Sequence, residues 1–180
     1  MKTKQIMKTS ITIGLLSLGL LLGSSVASAQ TISKAYTAEQ VDQMFKEHKQ
    51  QHAHDICPTQ ELSSALLRDF PKARDIDWEK TNALYEVEFE IGRFPSRDYT
   101  AYYDVKGQLL IYEQEIPTSE LPAVVKNGAL AKYPNFSIED VSKIVKGNET
   151  LYKVEIEKGD VDVKLTLNKE GVIVSERVDR

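Results

Sequence analysis

The sequence predicts an α+β fold in which two tandem units, each a helix followed by four antiparallel strands, form one sheet with the helices on one face. Three blocks recur in the same order at spacings of 67, 64 and 63 residues: 84–90 with 151–157, 104–110 with 168–174, and 68–71 with 131–134. Such repetition indicates a duplicated unit. Within each unit, apolar residues recur first at helical spacing and then in strict alternation with polar ones. An antiparallel sheet that is apolar on one face must bury that face, and each unit's helix is the natural cover.

Residues 1–29 predict a secretory signal peptide. Three lysines precede an uncharged run of 12 residues, 11–22, and the segment ends in Ala27-Ser28-Ala29. This order is typical of a signal sequence with its cleavage site. Because a spanning helix needs about 20 apolar residues, we expect cleavage near Ala29 and Gln30, no further membrane span, and a location in the periplasm or outside the cell.

Charge and cysteine content exclude some classes of protein. Cleavage removes three lysines and no acid from 23 basic and 27 acidic residues, which leaves a net charge of −7. An acidic chain without a basic stripe is a poor ligand for nucleic acid. Cys57 is the only cysteine, so an intramolecular disulfide is impossible. Its thiol is free, metal-bound or paired with another chain.

A leader, residues 30–57, precedes the repeated part. Thr37 and Gln40 have the spacing of a capping box, and apolar residues follow at helical spacing. We therefore expect a short amphipathic helix over about 38–51. Pro58 ends the leader and opens the first unit, which covers residues 58–117.

In the first unit, an apolar stripe from Leu62 to Phe70 predicts a helix that stops at Pro71. Alternation then predicts four strands, with a turn at 104–107 whose glycine supplies a positive φ. These strands cover 75–79, 85–91, 99–103 and 109–112.

The second unit covers residues 118–180. We expect its helix from about 119 to 132, weakened by Gly128 by roughly 1 kcal/mol relative to alanine. Its strands are predicted near 139–146, 151–158, 161–167 and 171–177. The sheet face away from both helices is expected to meet solvent through Glu86, Glu88, Glu90, Lys153, Glu155 and Glu157.

Several of these segments resemble the PepSY-like family, also described as beta-lactamase-inhibitor-like. They are Phe70-Pro71, 76–80, 85–89 and 104–107 in the first unit, and 121–124, 132–134 and 152–156 in the second. The resemblance covers about 58–177 and implies a tandem of units forming one concave sheet. The inhibitor for which the family is named grips an enzyme with such a sheet, whereas the family as a whole implies no general activity. Two features depart from the pattern: the second unit lacks a counterpart of Trp78, and residues 36–57 lie outside it.

The histidines and the cysteine suggest a metal site. His48, His52, His54 and Cys57 fall within ten residues, and imidazole and thiolate are ligands that Zn and Cu ions prefer. His48 and His52 share a helical face, but His54 joins them only if the helix breaks. The alternative is a polar leader whose histidines interact with the helix dipole.

A loop in the first unit suggests a recognition surface for a protein or peptide. The segment 91–97 is three residues longer than its counterpart and places Phe94 between Arg93 and Arg97, with Tyr102 near in sequence. Aromatic residues and arginine are enriched at binding hot spots. The alternative is that Phe94 tucks under the loop while the neighbouring tyrosines fill the core.

The sequence thus favours an exported, non-enzymatic binding module that recognises or inhibits an envelope protein through its sheet surface. The second hypothesis is a metal-handling protein that uses the four leader residues. A hydrolase is disfavoured because the sequence has no nucleophile elbow, zinc-helix motif or glycine-rich phosphate loop. Glu86, Glu88 and Glu90 could suggest cation binding or a catalytic pair of carboxylates. Their spacing is also that of any solvated strand face, and we favour this second interpretation.

Overall fold

The structure is a computed structural model that describes residues 36–179. The predicted signal peptide and its cleavage site lie outside this range. Three α-helices, a short 3-10 turn at Thr118–Glu120 and nine strands make up the described part. The helices are α1 (Ala38–Gln50), α2 (Gln60–Asp69) and α3 (Ala123–Lys132). The strands are β1 (His54–Asp55), β2 (Arg74–Lys80), β3 (Tyr85–Ile91), β4 (Arg97–Tyr103), β5 (Leu109–Glu115), β6 (Ser137–Lys146), β7 (Glu149–Lys158), β8 (Val161–Asn168) and β9 (Ile173–Asp179).

All nine strands form one sheet in sequence order, and every neighbouring pair is antiparallel. The expected mixture of helices with an antiparallel sheet is confirmed, and each of the eight predicted strands lies at a strand of the structure. The two-residue β1 has no sequence signal because it is too short to alternate. Helix α3 begins later than expected, since the residue before Pro122 is disfavoured in a helical conformation.

Helix α2 covers one face of the first four long strands. Its apolar stripe packs against a core in which large aromatic side chains dominate. Thr59 caps the helix by accepting the Leu62 N–H, and α2 ends before Pro71. The core consists of Leu62, Ala65, Leu66, Phe70, Trp78, Val87, Phe89, Ala101, Tyr103 and Leu109.

Helix α3 covers the same face of the last four strands, over an aliphatic core. Gly128 packs so closely against the turn at Gly171 that a Cβ on Gly128 would lie 2.0 Å from the Gly171 carbonyl oxygen. The expectation that Gly128 simply weakens the helix was therefore wrong, because this glycine allows the close approach. The core consists of Ile116, Leu121, Val125, Ala129, Val141, Val154, Ile156, Val163, Leu165 and Leu167.

Helix α1 lies on the opposite face of the sheet. Val87 packs under α2, whereas its neighbour Glu86 is hydrogen-bonded to His48 of α1, and successive residues of a strand point to opposite faces. A bulge between β4 and β5 adds Leu110 to Ile111 on this face, which creates an apolar patch for α1 to cover. The two unit helices, α2 and α3, share one face as expected, but the expectation that Glu86 on the other face meets solvent was wrong, because α1 covers it there.

The contacts of α1 form a third core cluster. Val41 of the helix packs with Leu84, Tyr102, Leu110 and Ile111 of the sheet. Within the described range, none of the helices has the length and apolar character needed to cross a bilayer.

Candidate functional site

The hairpin between β3 and β4 presents an aromatic side chain to solvent. Phe94 at its tip is 99% exposed, and Arg93 beside it is exposed as well. Gly92 makes the turn possible with φ at +99°, and the Arg74 side chain donates to the Gly92 carbonyl oxygen at 2.8 Å. The hypothesis that Phe94 tucks under its loop is therefore wrong.

The base of this hairpin is fixed to the rest of the molecule. Ile91 pairs with Arg97 across the two strands. The Arg97 guanidinium also binds the Glu120 carboxylate in a two-contact ion pair, with Nη1 and Oε2 3.1 Å apart. Arg97 thus orients the hairpin, while Arg93 and Phe94 remain available at its tip.

Tyr102, the fourth residue predicted for the recognition surface, lies elsewhere. It is 3% exposed beneath α1, with ring centroids 4.9 Å from Phe45 and 5.4 Å from His48. Its hydroxyl donates to Glu86 at 2.9 Å. Burial raises the pKa of the Tyr102 hydroxyl, and the charge of Glu86 raises it further. The structure therefore groups Arg93, Phe94 and Arg97 but assigns Tyr102 to the contact with α1.

His48 is the centre of that contact. One ring nitrogen lies against the Glu86 carboxylate, and Nδ1 is 3.0 Å from the Thr81 hydroxyl. Burial by itself raises the pKa of Glu86, but the hydrogen bonds from His48 and Tyr102 outweigh it and hold this pKa below its ordinary value. Sequence reasoning missed this role, although His48 continues the apolar stripe of α1 at helical spacing.

The other three residues of the predicted metal site do not gather around His48 into a set of ligands. His52, His54 and Cys57 are exposed along the segment that leads to α2. Within residues 36–179, no group of three or more histidine, cysteine, aspartate or glutamate side chains is arranged to hold a metal ion. The four leader residues are therefore not grouped as ligands in this structure, and a Zn or Cu site built from them stays a prediction.

Carboxylates crowd the sheet face that carries α1. Asp77 pairs with Glu88 across β2 and β3. Burial raises the pKa of Glu88, and the charges of Glu86, Glu79 and Asp77 raise it further. This side of the sheet therefore attracts positively charged groups.

A family match covers about half of the chain. The family described as "Putative beta-lactamase-inhibitor-like, PepSY-like" matches residues 83–175. No curated protein matches the sequence.

Solved structures from Bacteroides share the fold. A protein of the DUF2874 family from Bacteroides uniformis is 17% identical, with a TM-score of 0.60, over 68% of this chain and 90% of that one. A "BLIP-like protein" from Bacteroides fragilis is 25% identical, with a TM-score of 0.58, over 68% and 87%. A structure from Bacteroides eggerthii, described as "putative periplasmic proteins", is 15% identical, with a TM-score of 0.61, over 68% and 90%.

Proposed function

The chain belongs to the PepSY-like, beta-lactamase-inhibitor-like family, and from this premise we propose that it is an exported binding module without enzymatic activity that recognises a protein or peptide partner. A fold shared with a structure described as BLIP-like supports protein binding in general. A more specific form of this proposal is that the protein inhibits an enzyme of the cell envelope. The signal-like start of the sequence supports export, and a similar structure is described as periplasmic.

The observation that carries this proposal is the exposure of Phe94. A phenylalanine that is 99% exposed leaves nearly its whole ring in water, and burying such a ring gains about 2 kcal/mol. Arg93 adds a flexible cation beside it. Because strand pairing and the Arg97–Glu120 ion pair hold the hairpin, a partner would meet an anchor that is already ordered, which lowers the entropic cost of binding.

We also infer that residues 58–117 and 118–180 are two copies of one unit. Corresponding turns support this duplication. Asp104 accepts backbone N–H groups two and four residues later, both at 2.8 Å. Asn168, at the matching position, accepts the equivalent groups at 3.1 and 2.9 Å. In each turn the glycine N–H also donates to the carbonyl oxygen of that first residue.

Photo-crosslinking from the hairpin tip tests the function. A photoreactive amino acid at position 94 is expected to crosslink one envelope partner reproducibly. The same group at position 105 serves as the control, because Val105 is 62% exposed on the turn after β4, at the other end of the sheet. Equal labelling from both positions, or none from 94, would contradict the proposal.

A double variant, Arg93→Ala with Phe94→Ala, separates binding from folding. Both side chains are exposed, so the free energy of unfolding should change by less than about 0.5 kcal/mol. Affinity for the crosslinked partner should fall at least about tenfold, as expected for a hot-spot aromatic. Unchanged affinity would show that the hairpin is not the binding surface.

A further inference from the structure

A groove of about 670 Å³ runs along the outer edge of β2. Ile76, Trp78 and the neighbouring carboxylates of β2 line it along the strand. Leu66 and Leu67 of α2 line it on one side, and the segment from Asp55 to Pro58 contributes at one end. The groove does not include the β3–β4 hairpin, so it constitutes a separate surface.

The strand at this groove is only partly paired on its outer side. In the described part of the chain, β1 pairs with β2 at Glu79 and Lys80, and the Ile56 N–H adds a bond to the Trp78 carbonyl oxygen at 3.0 Å. The chain then leaves the sheet at Pro58 for α2. No strand of the described range lies beside residues 74–77 of β2. The pairing of this stretch with β3 is irregular between Arg74 and Asp77, where Asp75 has a φ of +51°. The outer side of this bulged edge can accept an added strand at Ile76 and Asp77.

The two sides of the groove differ in chemistry because side chains of β2 alternate between faces. On the α2 side, Leu67 and Ile76 are 48% and 38% exposed and form an apolar surface. On the other side, Asp77 and Glu79 project next to Glu88 of β3. Among the described residues that line the groove, none is a lysine or an arginine.

From this arrangement we propose that the β2 groove binds an extended peptide segment of a protein partner in which basic and apolar residues alternate. The segment pairs with β2 in line with β1 and continues the sheet by backbone hydrogen bonds. Its apolar side chains contact Leu67 and Ile76, and its lysine or arginine side chains meet Asp77, Glu79 and Glu88. This site goes beyond the proposed role of the Phe94 hairpin, and either can fail without the other.

The acidic residues alone would attract any cation, but binding in the groove also requires a particular order of residues in the peptide. An added strand must present opposite chemistry on its two faces, with a period of two residues. A peptide of the same composition in blocks therefore satisfies only part of the contacts. This dependence on order distinguishes strand addition from simple charge attraction.

Trp78 is a built-in reporter for binding. It is the only tryptophan of the chain and lines the groove while remaining 5% exposed. The experiment titrates the full mature chain at low ionic strength with acetyl-Ile-Lys-Val-Lys-Ile-Lys-amide, which contains no aromatic residue. We expect a saturable change in Trp78 emission, together with slower amide hydrogen exchange at residues 74–77.

Three control peptides define the specificity. The glutamate analogue, in which every lysine is replaced, should not bind. The block peptide acetyl-Lys-Lys-Lys-Ile-Val-Ile-amide and an alternating peptide with N-methylated backbone should bind at least about tenfold more weakly, because each loses several edge contacts. If the block peptide, or oligolysine, binds as tightly as the alternating peptide, the proposal is overturned.

Two protein variants locate the site. Ile76→Lys places a cation at the exposed edge and should abolish binding. Asp77→Asn combined with Glu88→Gln should weaken binding about fivefold, since solvent-exposed charge pairs contribute modestly. Leu67→Lys on α2 serves as a second variant if Ile76→Lys lowers thermal stability. Unchanged affinity in these folded variants would contradict the proposal, whereas the Arg93 and Phe94 variant should bind the peptide normally.

Discussion

The two halves of the sheet have the same order of elements but different cores. We call β2–β5 with α2 the first half-sheet, and β6–β9 with α3 the second half-sheet. In the first, four large aromatic side chains are buried beneath the helix, whereas the second is filled by valine, leucine, isoleucine and alanine. The four aromatic residues are Phe70, Trp78, Phe89 and Tyr103.

The two half-sheets also differ in how closely the helix approaches a turn. The turn is the one between the last two strands, which contains Gly107 in the first half-sheet and Gly171 in the second. A Cβ on Gly107 would lie 3.6 Å from the Ala65 Cβ of α2, which is ordinary contact. A Cβ on Gly171 would lie 2.4 Å from the Val124 carbonyl oxygen of α3, an impossible distance. Gly128 and Gly171 are therefore both needed where α3 meets this turn. A similar order of elements therefore accommodates different distances between helix and turn, with glycine at both positions where the approach is closest.

The largest effect is expected for Gly128→Ala. Helix propensity alone predicts a gain of about 1 kcal/mol. The structure predicts the opposite sign, because the new Cβ would lie 2.0 Å from the Gly171 carbonyl oxygen, and forcing helix and turn apart costs about 3 kcal/mol. Urea denaturation of the chain from Gln30 onward measures the change.

Asn127→Ala is the matched control for this variant. Asn127 is the preceding residue of α3 and is exposed, so its replacement tests helix propensity without a steric conflict. We expect a gain of a few tenths of a kcal/mol. A Gly128→Ala protein as stable as the Asn127→Ala protein would show that α3 does not require this close approach.

The second difference concerns the opposite face of the sheet. Helix α1 covers part of this face in the first half-sheet, where Glu86 accepts hydrogen bonds from His48 and Tyr102. At the position matching Glu86, the second half-sheet has Lys153, which forms an ion pair with Glu113 at 3.1 Å. A lysine there cannot accept the histidine hydrogen bond. The presence of Glu86 rather than a lysine therefore favours docking of α1 on the first half-sheet.

His48→Ala should lower the free energy of unfolding by about 2 kcal/mol, because it removes one buried and one partly buried hydrogen bond and leaves Glu86 with one donor fewer. Thermal unfolding by circular dichroism measures it. His52→Ala is the control, since His52 is four residues later and exposed. Equal stability of the two variants would show that the hydrogen bonds of His48 contribute nothing to the stability of the fold.

The sequence predicts the strands well where apolar and polar residues alternate, as in Tyr85 to Ile91. It also predicts the exposed hairpin from the extra length of segment 91–97. It does not predict where α1 docks, because the bulge that adds Leu110 to the far face depends on strand pairing. Tyr102 is buried because α1 docks over it, so its burial cannot be predicted either. Gly128 misleads sequence reasoning, since its neighbour across space is 43 residues away along the chain.

The smallest expected effect compares two glutamates at matching positions. Glu155 of β7 forms an ion pair with Lys164 at 3.0 Å. Glu88 of β3 instead faces other carboxylates, and burial together with these charges raises its pKa above the ordinary value of 4.5. Glu88→Gln should therefore stabilise the protein near pH 7 by about 0.5 kcal/mol, a small value because solvent screens the charges. Glu155→Gln should give no gain, because it removes a favourable pair.

The dependence of stability on pH tests the sign of the effect expected for Glu88→Gln. A carboxyl group whose pKa is raised by folding binds its proton more readily in the folded state, so its charged form opposes folding. This penalty is fully present above the folded pKa and disappears as the pH falls below 4.5, the unfolded value. The advantage of Glu88→Gln over the unsubstituted protein should therefore shrink between about pH 7 and pH 4, and added salt should reduce it at neutral pH. An advantage that is constant over this range would mean that packing, rather than the crowding of negative charge on the first half-sheet, separates Glu88 from Glu155.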